Sequence, residues 1–301
     1  MIPVLFELGS LKVYSYGLML GIAFLLGSYI LSRDFRRKHL DPSMANTITL
    51  LAVVFGIAGA KILYLLEEWN AFVHNPVGMT FSAGGLTWYG GFLLALLAVS
   101  LYVRTKKVPF LKVWDGLGLA LIIAYGVGRI GCHLSGDGDY GAPTSLPWGT
   151  IYAQGTAKPT VMLQEYFVAF PERRAAMHYD SLRVIIAGRD RLGNFYSRFD
   201  ELTPLHPTPI YELVLGIAGF ILLLRLRSMP LPDGGLFMIY LMLASTFRFA
   251  VEFLRLNPRL AWGLSEAQIF SIALFLLGLA GLLFLRSQTP GRTSEAGQAP
   301  R

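Results

Sequence analysis

The 301-residue chain is 54% hydrophobic and only 15% charged, with a mean hydropathy of +0.52. A soluble domain carries about 25% charged residues, so this composition excludes an ordinary globular domain and points to the membrane class. The single cysteine excludes an internal disulfide framework or a multi-cysteine zinc cluster, and the five histidines show no HExxH-like spacing. The net charge of +7 is gathered in short loops rather than on a nucleic-acid-binding face.

Seven windows are long and apolar enough to cross a bilayer core, for which about 20 residues are needed. They fall at about 14–32, 47–66, 86–103, 114–134, 209–226, 235–254 and 267–285. No small-residue cleavage pattern follows the first window, which therefore reads as a retained helix. Small-residue faces such as Gly56/Gly59/Ala60 and Gly116/Gly118/Ala120 predict close helix packing.

The basic residues set the orientation. Arg33, Arg36, Arg37 and Lys38 follow span one; Arg104, Lys106, Lys107 and Lys112 follow span three. Arg225 and Arg227 follow span five, and Arg286 and Arg292 follow span seven. The stretch from Glu67 to span three has no lysine or arginine. Basic loops face the cytoplasm, which predicts an outside N-terminus and a cytoplasmic C-terminus. The expected organisation is an all-α polytopic membrane protein: helices one to four within 1–134, a small extracytoplasmic head of mixed structure at 135–206, helices five to seven within 207–286, and a disordered cytoplasmic tail at 287–301.

Arg129 and Arg248 lie inside the apolar spans, where a cation is expensive unless it is paired or faces a wet cavity. The topology puts them in company. Spans two, four and six run outward, carrying Lys61, Arg129, Arg248 and Glu252 toward their outer ends; spans one, three and five begin outside, with Tyr16, Tyr89, Tyr211 and Glu212 near their starts. At 1.5 Å per residue the two arginines lie roughly 8–10 Å inside the outer helix ends. This shared layer suggests a pocket for a negatively charged group, in a membrane most simply a lipid headgroup.

Plainer readings compete with that one. Arg248 and Glu252 are spaced i,i+4 and could form an intrahelical pair, which would leave Arg129 without a partner in its own span. Arg255 reads equally as an anchor snorkelling to the headgroups, and Lys61, Tyr16 and Tyr89 equally as interfacial anchors. Gly126, Gly128 and Gly131 could serve packing or let a headgroup approach the backbone.

The motif Gly128-Arg129-Ile130-Gly131, followed by a polar glycine-rich turn, resembles the signature of prolipoprotein diacylglyceryl transferases. Four more stretches are similar to that family in the same order: Tyr16-Gly17-Leu18-Met19, Gly84 to Gly91 (GGLTWYGG), His206 to Glu212 (HPTPIYE) and Phe247 to Phe253 (FRFAVEF). The resemblance implies transfer of the diacylglyceryl group of phosphatidylglycerol to the lipobox cysteine of a prolipoprotein signal peptide. It implies a bacterial inner-membrane enzyme working toward the outer leaflet, with no metal and no other cofactor. By the same resemblance Arg129, Arg248, Glu252 and Tyr89 are catalytic, and Arg129, Tyr16, Gly131, Glu212 and His206 bind phosphatidylglycerol. A guanidinium binds phosphate bidentately and stabilises the charge that develops as the phosphate departs.

Two departures from the family stand out. Tyr89 occupies the position of a frequent histidine, and a tyrosine with a reference pKa near 10 is a weak base; self-ionisation of the substrate thiol in a positive pocket is the favoured alternative. Cys132 replaces a usual asparagine and reads as a small buried filler beside Arg129, or else as a covalent way-station for the lipid. Rival functions are a non-catalytic anionic-lipid binder or transporter, and an intramembrane serine hydrolase built on His133 and Ser135. The first class often shows internal repeats, and none is present here. The second lacks a partner histidine after His206.

Overall fold

All seven expected spans are helices in the computed structural model, which describes residues 1–9, 11–82, 84–159, 184–189, 195–199 and 204–288. They are α1 (Ser15–Arg37), α2 (Ser43–Glu67), α5 (Trp88–Thr105), α6 (Phe110–Ser135), α7 (Thr208–Leu226), α8 (Gly235–Glu252) and α9 (Glu266–Ser287), each apolar and long enough to cross a bilayer. Two short helices, α3 (Trp69–His74) and α4 (Pro76–Thr80), lie between α2 and α5. Among the described residues there are also three two-stranded antiparallel pairs: β1 (Val4–Leu8) with β2 (Leu11–Tyr14), β3 (Val184–Arg189) with β4 (Phe195–Phe199), and β5 (Arg259–Ala261) with β6 (Leu264–Ser265). The chain is thus a mostly helical, multi-pass membrane protein. Of the expected head, residues 160–183, 190–194 and 200–203 lie outside the described residues, as does the expected tail from 289.

Helix ends follow local chemistry. The Ser265 side chain accepts from the Gln268 amide while the Gln268 side chain accepts from the Ser265 amide, a capping box that starts α9. Pro209 sits in the first turn of α7, where its missing N–H is no loss. Arg36 and Arg37, Arg104, Arg225 and Arg286 sit in the last turns of α1, α5, α7 and α9, where the helix dipole favours cations.

Contacts divide the chain into two compact units, residues 27–120 and residues 1–26 with 121–301. In the 27–120 unit, Leu31, Phe35, Met44, Ile48, Val99, Val103 and Val113 form a closed apolar core. Here the expected face of Gly56, Gly59 and Ala60 packs on Gly90 and Gly91: a Cβ on Gly59 would lie 2.3 Å from the Gly90 carbonyl oxygen. Lys61 donates to the carbonyls of Ser82 and Gly84 at 3.0 and 2.8 Å, and Thr87 donates to Glu67 at 2.6 Å. These bonds strap the Gly84–Thr87 segment to α2, with Gly85 at φ +70 against the Tyr64 ring.

In the other unit, α6 and α7 meet through Gly126 and Gly216, where a Cβ on Gly216 would lie 3.1 Å from the Gly126 Cα. Gly278 of α9 lies under the Met238 carbonyl of α8 in the same manner, its Cβ position 2.8 Å away. The segment after α6 is woven in by backbone bonds, Gly141 to His206 at 2.8 Å and Ala142 to Leu254 at 2.7 Å, over the buried rings of Tyr140 and Tyr152. These close approaches bring the end of α6, the start of α7 and the end of α8 together.

Candidate functional site

Glu212, on the second turn of α7 and only 3% exposed, is the centre of a charged cluster. A helix N-terminus favours a carboxylate, which explains its tolerance here. Its Oε2 lies 2.9 Å from Arg129 Nε and 3.9 Å from Arg255 Nη1; its Oε1 accepts from the Tyr125 hydroxyl at 2.7 Å and lies 3.8 Å from Arg248 Nη1. Three guanidiniums from α6, α8 and the segment after α8 thus converge on one buried carboxylate. Burying such ions is unfavourable by several kcal/mol each unless opposite charges and hydrogen bonds surround them.

Glu252, at the C-terminal end of α8, stands where the helix dipole disfavours an acid. It is fully buried and compensated from several directions: Arg248 Nη1 at 2.5 Å, Asn257 Nδ2 at 2.7 Å and the Ser265 hydroxyl at 2.7 Å. Arg259 donates to the Glu252 carbonyl at 3.1 Å and also reaches the Gln268 side chain. The capping box that starts α9 therefore also holds the acid that orients Arg248.

The third acid, Asp139, comes from the turn after α6. Its carboxylate takes Arg129 Nη1 on one oxygen and Arg255 Nη2 on the other. Burial opposes its ionisation, but Arg255 and then Arg129 outweigh that and hold the carboxyl at about 2, below the usual carboxylate range. The Thr208 hydroxyl donates to the Asp139 carbonyl and fixes the turn to the start of α7.

Five of the residues singled out in the sequence, Arg129, Glu212, Arg248, Glu252 and Arg255, belong to this one network. Arg129 does have a partner in its own helix: its Nη2 donates to the Tyr125 hydroxyl one turn earlier at 3.0 Å, and its guanidinium stacks 4.7 Å over the Tyr125 ring. Arg255 does not snorkel; it is 7% exposed and faces Asp139, Glu212 and Glu252. Tyr16 is 44% exposed, and its backbone packs on Gly131, whose Cβ would lie 3.2 Å from the Tyr16 Cα. Gly131 thus has a packing reason to lack a side chain.

His206 and Tyr211 form a separate group: His206 Nδ1 lies 3.1 Å from the Tyr211 hydroxyl, which accepts from Trp148 Nε1 at 2.8 Å. Burial pushes the His206 imidazole below its ordinary value. Tyr211 and Trp148 line an open, mostly apolar recess of about 470 Å³ that also touches Ile210 and Val214. Lys61 and Tyr89 belong to the 27–120 unit, where Tyr89 is 40% exposed with its ring edge-on to Trp88. Ser135 donates to the Cys132 carbonyl at 3.2 Å while His133 Nδ1 faces the Tyr152 hydroxyl at 3.0 Å, so the two have different partners and make no serine–histidine pair.

Cys132 is buried, with Sγ 3.6 Å from Arg129 Nη1. Its sulfur and the carboxylates of Asp137 and Asp139 lie within 4.8 Å of one another, a donor set of the kind that holds a divalent cation. Asp139 is already on two guanidiniums, so a cation there would meet fixed positive charge.

The sequence reading passed over Asp139, Tyr125, Asn257, Ser265 and Gln268. Tyr125 stood one turn before Arg129, and Ser265 three residues before Gln268 in a capping-box pattern, so both carried local signals. Nothing local marked Asp139 within its acidic turn.

A family model described as prolipoprotein diacylglyceryl transferase matches residues 3–284. Among curated relatives, a protein of a Nostoc species is 28% identical over 290 residues, covering 94% of this chain and 89% of its own. Relatives from Clostridium tetani and Bacillus cytotoxicus are each 27% identical, covering 92% and 94% of this chain and 95% and 92% of theirs. All three are named phosphatidylglycerol–prolipoprotein diacylglyceryl transferase.

Proposed function

The chain belongs to the prolipoprotein diacylglyceryl transferase family, and from that membership we propose that it transfers the diacylglyceryl group of phosphatidylglycerol to the lipobox cysteine of prolipoproteins. It is a membrane transferase of the first step of lipoprotein maturation. The observation that carries the reading is the convergence of Arg129 and Arg248 on Glu212. A scattered set of structural ion pairs has no reason to gather guanidiniums from α6 and α8 at one point.

The substrate sulfur attacks the glyceryl carbon that bears the phosphate. The S–C bond forms, the C–O bond to phosphate breaks, the thiol proton passes to water at the outer face, and glycerol 1-phosphate carries away the electron pair. Negative charge therefore grows on the phosphate. Arg129 and Arg248 are placed to meet that charge, and fixed guanidiniums in a water-poor site stabilise it better than water does. Glu252 orients Arg248, and Glu212 sets the spacing of the guanidiniums. The three carboxylates in the cluster weigh against a strongly positive pocket, so thiol ionisation rests on Arg129 and Arg248 locally rather than on a net positive field.

The basic loops support an outside N-terminus and a cytoplasmic C-terminus in the bacterial inner membrane, which sets the cluster near the outer leaflet. There, phosphatidylglycerol and an emerging signal peptide meet. The test uses purified full-length protein, labelled phosphatidylglycerol and a lipobox peptide. Thioether product is expected from the wild type and from Cys132→Ala, and is expected to vanish in Arg129→Ala and Arg248→Ala. Lipid binding without transfer by the wild type would favour a lipid-binding protein, and loss of turnover in Cys132→Ala would favour the covalent way-station.

A further inference from the structure

Three guanidiniums and three carboxylates are in ion-pair contact at the site: Arg129, Arg248 and Arg255 against Asp139, Glu212 and Glu252. On Arg129, Arg248 and Arg255 an arriving phosphodiester therefore meets guanidiniums already in contact with carboxylates, and adding a fourth anion to that buried set is unfavourable. One carboxylate has to yield. Glu252 is fully buried and bonded by Ser265 and Asn257 as well as Arg248. Glu212 is fixed on a helix and bonded by Tyr125 and Arg129. Asp139 differs from both: its side chain is 27% exposed, and it stands on a turn containing Gly136 and Gly138 at φ +60 and +97.

We propose that Asp139 is an internal anion that occupies the phosphate's place on Arg129 in the empty site, releases Arg129 when a phosphodiester arrives, and returns as the phosphate product leaves. A carboxylate bridging two guanidiniums presents two oxygens much as the non-bridging oxygens of a phosphodiester do. Beneath it, Arg129 and Arg255 retain only 16% and 7% side-chain exposure. The movement needs no loop opening. The Asp139 carbonyl is held by Thr208, so the backbone stays on α7 while the side chain rotates about its own bonds.

The exchange has two kinetic consequences. An internal competitor lowers apparent lipid affinity by the fraction of time that Arg129 is free, so a seat filled nine-tenths of the time weakens binding about tenfold. The returning carboxylate also competes with the released glycerol phosphate, which speeds product departure. Removing its charge therefore tightens both substrate and product.

This inference rests on the proposed function, and the experiment separates the two. Full-length wild type, Asp139→Asn and Asp139→Glu are assayed in nanodiscs with phosphatidylglycerol and a lipobox peptide, with and without glycerol 1-phosphate or inorganic phosphate as inhibitor. Asp139→Asn is expected to lower KM for phosphatidylglycerol about five- to tenfold. It should strengthen inhibition by glycerol 1-phosphate to a similar degree and lower kcat, while Asp139→Glu, which keeps the charge, should lack this joint tightening of substrate and product. Stronger inhibition by inorganic phosphate as well would identify the phosphate group itself, not the lipid's glycerol or acyl chains, as Asp139's competitor. A KM that rises or stays level in Asp139→Asn overturns the proposal and makes Asp139 a support for the arginines. As a check on the wild type alone, carbodiimide labelling of Asp139 read by mass spectrometry should rise when phosphatidylglycerol or inorganic phosphate is added; unchanged labelling also overturns it. A wild type that binds phosphate and shows this rise but transfers nothing defeats the proposed function and leaves the exchange standing.

Discussion

Two buried acids show how differently this chain uses charge. Asp34, 1% exposed near the end of α1, is answered within one turn by Lys38, just past the helix, at 2.6 Å and by Arg37 at 3.3 Å. Glu212, 3% exposed at the start of α7, is answered by Arg129 of α6, Arg248 of α8 and Arg255 beyond α8. In the first arrangement both cations come from the turn next to the acid, and Lys38 also donates to the Lys112 carbonyl at 2.9 Å. The second cannot close within one element, and it holds several cations at a common point. An acid paired along one helix stabilises that helix end, whereas an acid paired across helices positions chemistry.

The sharpest way to test this contrast is Glu212→Gln. The amide keeps the shape but leaves three guanidiniums facing two carboxylates, and removing one partner of a buried ion pair typically destabilises by about 3–5 kcal/mol. A large drop in the thermal midpoint is expected, together with a loss of turnover of about a hundredfold or more in the protein that remains folded, since the arginines lose their common anchor. Turnover near wild type in folded Glu212→Gln would break the comparison, because Glu212 would then be no more than a second Asp34.

A smaller effect is expected one step further from the chemistry. Ser265 caps α9 and donates to Glu252, so Ser265→Ala removes both a cap and a bond to a buried carboxylate. Losing such a cap weakens a helix by about 1 kcal/mol, and a lost bond to a charged group adds about 1–3 kcal/mol. If Glu252 steers Arg248 as proposed, kcat should fall about tenfold with KM nearly unchanged, a split that general loosening of α9 would not produce. Ser265→Thr, which keeps the hydroxyl, should restore most of the rate. A variant that loses stability but keeps kcat would reduce Ser265 to a helix cap.

Much of this is legible in the amino-acid sequence. The seven spans are helices within a few residues of their hydropathy windows, because only an unbroken apolar helix satisfies its backbone in lipid. Four members of the cluster, Arg129, Glu212, Arg248 and Glu252, stood out because ionisable residues are rare inside apolar stretches. Asp139 did not. It lies just beyond α6 in a polar turn where one more charge carries no signal, and only tertiary packing brings it to the arginines. The Tyr125 partner of Arg129 is legible one turn back on the same helix, whereas its Glu212 partner comes from α7, which the pattern of one helix does not reveal. Arg255 was ambiguous because an arginine just past a span end has the same local sequence whether it reaches water or folds back on buried acids.

The smallest expected effect on turnover belongs to Asp34→Asn, and it is the control that gives the others meaning. Asp34 is as buried as Glu212, and its oxygens face Lys38 and Arg37 in a packed region beside Gly116, whose Cβ position lies 3.0 Å from Asp34 Oδ2. Substitution leaves two cations short of one partner, but the Arg37 side chain is already 44% exposed and can turn to water. Lys38 keeps its bond to the Lys112 carbonyl. A loss of about 1–3 kcal/mol is therefore expected, below the full cost of a broken buried pair. Turnover per folded molecule, KM for phosphatidylglycerol and inhibition by glycerol 1-phosphate should all match wild type, because no phosphate-binding group depends on Asp34. Equal damage to turnover from Asp34→Asn and Glu212→Gln would mean that burial of charge, and not convergence of the arginines, is what activity requires.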